Sequence, residues 1–139
     1  MAETGIPVVC HCGSGPFPGE FTGPGPISQV LAEHPTLTLV VAHAGAPEYT
    51  EFFDLVERYP RAYLDTTMAF TPYMDHFAPF PAELRTRLAD LGDRLLLGSD
   101  FPNIPHPYAE QISSLAALDL GDAWLRAVLH DNAADLFSR

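Results

Sequence analysis

Short apolar runs, each stopped by glycine or a polar residue and followed by a stretch that proline opens, constrain this chain more than any other feature. Ile6 to Cys12, Leu37 to His43, Ala62 to Thr66 and Arg94 to Ser99 are apolar and rich in β-branched residues or leucine, and each predicts a strand. Pro26 opens a helix with Ile27, Val30 and Leu31 on one face and Pro35 at its stop. Pro47 opens a second, where Tyr49, Phe52, Phe53 and Val56 recur at the i, i+3, i+4, i+7 spacing before Pro60. Pro81 starts a third, with Leu84, Leu88 and Leu91 on one side and Gly92 at its end. Tyr108 to about Leu118 and Ala123 to about Leu129, behind an Asp122 cap, predict two more, and Asn132 is expected to cap a last turn over Ala133 to Phe137. The stretches from Gly13 to Gly25 and from Phe70 to Phe80 read as loops. Alternation of strands with helices of about ten residues predicts an α/β fold of parallel βαβ units. The apolarity of the runs predicts strands covered on both faces.

Composition narrows the function. With 139 residues, 47% of them hydrophobic, the chain is expected to form a single domain over residues 1–139. Its net charge of −11 leaves no basic stripe for phosphates, which argues against nucleic acid or an anionic membrane as partner and leaves a small-molecule substrate. All seven cations are arginine, so lysine-based covalent catalysis and a P-loop are excluded. No run approaches the ~20 apolar residues of a membrane span, and the first residues lack a leader's basic and apolar regions, so a cytoplasmic location is expected. Cys10 and Cys12 flank His11; a disulfide across one extended residue is geometrically poor, and both read as small buried apolar residues.

In parallel α/β folds, sites form beyond the C-terminal ends of the strands. Three of the four runs end in a residue suited to metal or proton chemistry, His11, His43 and Asp100, and the third run ends in Asp65-Thr66-Thr67, so all four tips face one rim. Parity agrees: Leu39, Val41 and His43 share one face of their strand, and Leu96, Gly98 and Asp100 share one face of theirs. Asp65 can also satisfy strand-end backbone groups. His34 and His130 read as solvated or helix-junction residues, whereas His76, in the aromatic loop, and His106, on the loop after Asp100 with Phe101, could reach a substrate or read as surface loop histidines.

These segments carry a resemblance. Pro7-Val8-Val9-Cys10-His11-Cys12-Gly13, Leu39-Val40-Val41-Ala42-His43-Ala44-Gly45, Tyr59 to Asp65, Leu97-Gly98-Ser99-Asp100-Phe101-Pro102 and Asn132 to Phe137 resemble, in order, motifs of the amidohydrolase-related family. This metal-dependent (β/α)8 TIM-barrel family includes hydrolases, lactonases and decarboxylases such as aminocarboxymuconate-semialdehyde decarboxylase. The resemblance implies that His11 is a metal ligand, that His43 binds metal or polarises substrate, and that Asp100 is a ligand and proton shuttle. It implies a divalent cofactor, zinc first, and substrate contacts from Asp65, Phe101 and His106. The His-x-His pair that opens the family's barrel has no counterpart here, so the chain is expected to be a partial barrel of about four parallel strands, the second half. It would then associate with itself or with a missing N-terminal half. The expected function is a metal-dependent hydrolase or carboxy-lyase. The alternatives are a truncated, catalytically incomplete fragment or binding remnant, and, less well matched, a flavodoxin-like phosphate-binding domain whose loop would lack G-x-G-x-x-G geometry.

Overall fold

A computed structural model describes residues 3–138; Met1 and Ala2, where no leader is expected, lie outside them. Four strands, β1 (Val8–Cys10), β2 (Leu39–Val41), β3 (Ala62–Asp65) and β4 (Leu95–Leu96), form one parallel sheet in the order β1-β2-β3-β4. Helices α1 (Pro24–Glu33), α2 (Tyr49–Arg58), α3 (Pro72–Phe77) and α4 (Arg85–Asp90) lie along the chain between them. After β4 come α5 (Tyr108–Ala117), α6 (Asp122–Arg126), a π turn over Ala127–Asp131 and α7 (Asn132–Phe137). No helix among the described residues is long and apolar enough to cross a membrane.

Register sorts the strand side chains. Leu39 aligns with Val8 and Ala62, Val41 with Cys10 and Leu64, and Leu64 with Leu95. That face packs into the core with Phe52, Phe53, Val56, Leu88 and Leu115. Full burial of such side chains contributes roughly 1.5–3 kcal/mol each. The opposite face aligns Val9 with Val40, and Asp65 with Leu96, and lines a hollow of about 330 Å³. The expectation of strands covered on both faces holds for β2, which is buried throughout, and fails for β1. Val9 is 58% exposed, because β1 is an edge strand whose inner face looks into that hollow.

The strands are shorter than their apolar runs. After Val41 the chain turns through a 3-10 segment, Ala42–Gly45, with His43 and Ala44 at φ 58° and 52°. After Leu96, whose carbonyl accepts from Thr66 N–H at 2.9 Å, the next donor, Gly98 N–H, meets the Thr66 hydroxyl at 3.4 Å and the ladder ends, while Leu97 N–H, on the open side of the sheet, donates to Val128 O at 3.0 Å. Alternation therefore stops before His43 and before Asp100, and the parity argument does not aim either side chain. Their turns do.

Other boundaries shift for local reasons. The expected loop Phe70 to Phe80 contains α3, because the Thr71 hydroxyl accepts from Met74 N–H and Pro72 occupies the first turn. The first helix begins at Pro24, ahead of Pro26. Asp122 is not a cap but lies inside α6, behind Gly121 at φ 95°. Asn132 is not a cap either. Its amide donates to the carbonyls of Gly92 and Leu95, 2.7 Å to each, and so ties α7 to the start of β4.

Burial sets an alkaline limit on stability. It pushes the Cys12 thiol well above its ordinary 9.0, with neighbouring Cys10 adding to the effect, and pushes the Tyr49 hydroxyl well above 10.0, with the charge of Asp75 adding to it. The folded chain keeps both protons where the unfolded chain loses them, so the unfolded state binds fewer protons and stability falls as pH rises past about 9. Thermal melts from pH 7 to 11 are expected to show Tm declining above pH 9, with Cys12 resisting alkylation until the protein unfolds. A flat profile with rapid Cys12 labelling would contradict the buried placement.

Candidate active site

His11 is the first residue past β1, and His43 sits in the turn past β2. Their rings meet edge to face, with centroids 4.9 Å apart and planes at 68°. Gly13 allows the approach of the two loops, since a Cβ there would lie 2.0 Å from the carbonyl oxygen of Ala46. Glu48, at the start of α2, fastens the first loop by accepting from Ser14 N–H at 3.0 Å and from the Ser14 hydroxyl.

The protonation pattern of the rings follows from their partners. His11 Nε2 lies 2.7 Å from Gly15 O, and His43 Nδ1 lies 3.0 Å from Thr67 O. A carbonyl oxygen only accepts, so Nε2 of His11 and Nδ1 of His43 carry the protons. In the neutral rings, His11 Nδ1 and His43 Nε2 are left with lone pairs. Asp65, 7% exposed, supports the turn from below: one oxygen accepts from His43 N–H at 3.0 Å and from Thr67 N–H at 2.9 Å. Gly98 packs against the same group, because a Cβ would lie 2.0 Å from Thr67 Oγ1 and 2.8 Å from Asp65 Oδ1.

Asp100 lies past β4 at φ 54°, its carbonyl accepting from Asn103 N–H at 2.7 Å. It lines the hollow together with His43, Asp65, Thr67 and Ser99. Thus the structure gathers His43, Asp65 and Asp100 around one cavity and sets His11 against His43. Phe101, 78% exposed, is not among the lining residues. His106 packs near Tyr73, ring centroids 6.2 Å apart, with its Nε2 buried and unpartnered among the described residues.

The donor chemistry suits a metal ion only in part. Two imidazoles whose second nitrogens bond backbone carbonyls resemble supported metal ligands. A held ion takes three or four protein ligands, and among the described residues no group of three or more His, Cys, Asp or Glu converges. Asp100 does not close such a group with the two histidines, so the residues present do not form a metal site by themselves.

Two groups escaped the sequence reading. Glu48 and Gln111 both lie away from the strand ends on which the sequence reading centred, and Gln111, on α5, is fully buried. A polar residue at a core-facing helix position is the one signal that could have singled out Gln111.

Comparison with known proteins agrees with this architecture. An amidohydrolase family model matches residues 1–139. An uncharacterized TIM-barrel protein from Bordetella bronchiseptica is 29% identical with a TM-score of 0.80, covering 99% of this chain and 47% of its own. Dihydroorotase from Campylobacter jejuni (18% identity, TM-score 0.71, 100% of this chain and 49% of its own) shares the fold. So does 5-carboxyvanillate decarboxylase from Sphingomonas paucimobilis (15%, 0.63, 99% and 50%). No curated protein matches at the sequence level. The chain spans about half the length of these structures, and members of the amidohydrolase family, whose model it matches, are generally metal-dependent. Four parallel strands with flanking helices, histidines at two strand ends and a family match over every residue lead to one conclusion: this chain belongs to the amidohydrolase family.

Proposed function

We propose that the chain forms the second-half rim of an amidohydrolase-type active site, hydrolysing or decarboxylating a small-molecule substrate. The observation that carries this reading is the pairing of His11 and His43, each with one ring nitrogen committed to a backbone carbonyl and the other bearing a lone pair. Asp100, exposed on the cavity wall, takes a proton at the reacting centre and returns it to the leaving group or product carbon. With Nδ1–H held by Thr67, His43 has one nitrogen free for the site: Nε2 holds a metal ion through its lone pair or, when it carries a proton instead, polarises the substrate. Asp65 holds the His43 turn, while Phe101 and His106 meet the substrate from the loop after Asp100.

Zinc is the ion proposed for the complete protein, where it would supply Lewis-acid chemistry. Two imidazole donors predict micromolar or weaker binding to this chain alone. Calorimetric titration is the test: His11→Ala and His43→Ala should each remove the zinc signal. Tight binding that survives both changes would place the ion elsewhere.

A second reading, a catalytically incomplete fragment, is favoured by the absence of a third converging donor among the described residues. Turnover of carboxylate or lactone substrates by the assembled protein, lost on Asp100→Asn, separates the two.

A further inference from the structure

Gln111 is 1% exposed, yet no apolar packing need calls for an amide on α5. Burying an amide is costly unless its hydrogen bonds are made, and here both ends are used. Its Oε1 accepts from Met68 N–H at 3.2 Å, and its Nε2 donates to Ser99 O at 3.0 Å. That Met68 N–H belongs to the same planar peptide unit as Thr67 C=O. The carbonyl side of this unit accepts from His43 Nδ1–H at 3.0 Å and from Ala69 N–H at 2.6 Å. Met68 itself stands at φ 55°, so the unit is held in a turn that an ordinary side chain adopts reluctantly. At the other end, Ser99 directly precedes Asp100.

We infer that Gln111 is a positioning residue: by clamping the Thr67–Met68 peptide and the Ser99 carbonyl, it sets the tautomer of His43 and the seat of Asp100 together. The amide has one workable orientation, because reversing it would face N–H against N–H and C=O against C=O. A rotated peptide would turn Thr67 C=O away from His43, and Nδ1–H would lose its partner. This deepens the reading of His43 and Asp100 as working residues and does not depend on turnover for its test.

The test is nitrogen-15 NMR of the imidazoles in the full chain without substrate, with zinc removed by chelator. Wild-type His43 is expected to show a protonated Nδ1 and a lone-pair Nε2. Gln111→Leu keeps the bulk and removes both hydrogen bonds, and should convert His43 to a mixture of tautomers while His11 stays unchanged. Gln111→Glu, kept neutral by its burial, accepts from Met68 N–H through one oxygen and donates its O–H to Ser99 O, and should keep the wild-type tautomer. A wild-type His43 protonated on Nε2, or a folded Gln111→Leu with the tautomer unchanged, overturns the inference. Should Gln111→Leu fail to fold, Gln111→Glu decides: a retained Nδ1–H supports the clamp and its loss overturns it. Failure of the proposed reaction would appear separately, as an absence of turnover beside an intact tautomer pattern.

Discussion

Asp100→Asn is expected to lower kcat of the assembled protein by about 10²–10⁴-fold with little change in KM, the range set by a lost general acid–base group. The substitution isolates proton transfer. Asparagine tolerates the left-handed backbone at φ 54° as aspartate does, so the turn closed by Asn103 N–H onto Asp100 O should survive. What disappears is a group able to accept and return a proton. His76→Ala, on α3 outside the lining of the hollow, serves as the contrast and should leave kcat near wild type. Steady-state kinetics of the two variants is the measurement. Equal, small effects at both positions would mean that the strand ends do not carry the chemistry.

The largest expected loss of stability is at Phe52. Its ring is fully buried, and it packs so closely on Gly45 that a Cβ there would lie 2.4 Å from two ring carbons. Phe52→Ala should cost about 3–5 kcal/mol, the transfer of the ring plus the cavity left behind. That is a large part of the roughly 5–15 kcal/mol by which domains are stable. Because Gly45 closes the turn bearing His43, the same change should loosen the contact between the two histidine rings. Urea unfolding with an unchanged m-value would record the first effect, and broadening of the His43 imidazole signals the second. A loss below about 1 kcal/mol would show that the α2 face does not support the turn.

Much of the fold was legible along the chain. Proline-opened helices, apolar runs and their alternation are patterns among neighbouring residues, and local sterics and burial translate them directly into α1, α2, α5 and the four strands. Where boundaries moved, the competing influence was usually a hydrogen bond from elsewhere. The β3–β4 ladder stops where Gly98 N–H meets the Thr66 hydroxyl, and Asn132 is drawn from capping to the carbonyls of Gly92 and Leu95. The α3 helix was readable from Thr71-Pro72 but lay hidden in an aromatic stretch that looked like a loop.

The residues at the strand ends could be read along the chain, because parallel strands share one C-terminal rim: His11, His43, Asp65 and Asp100 are there in the structure. What each can do depends on contacts made by folding. The proton on His43 is set by Thr67, 24 residues away, and the peptide holding Thr67 is fixed by Gln111, 43 residues from Met68. The loop beside His11 is anchored by Glu48, 34 residues from Ser14. A hydrogen bond acts over about 3 Å of space whatever the distance along the chain. Periodicity reports which way a side chain faces on a regular element, whereas His43 and Asp100 sit on turns past the strands, where only partners brought together by folding fix their aim.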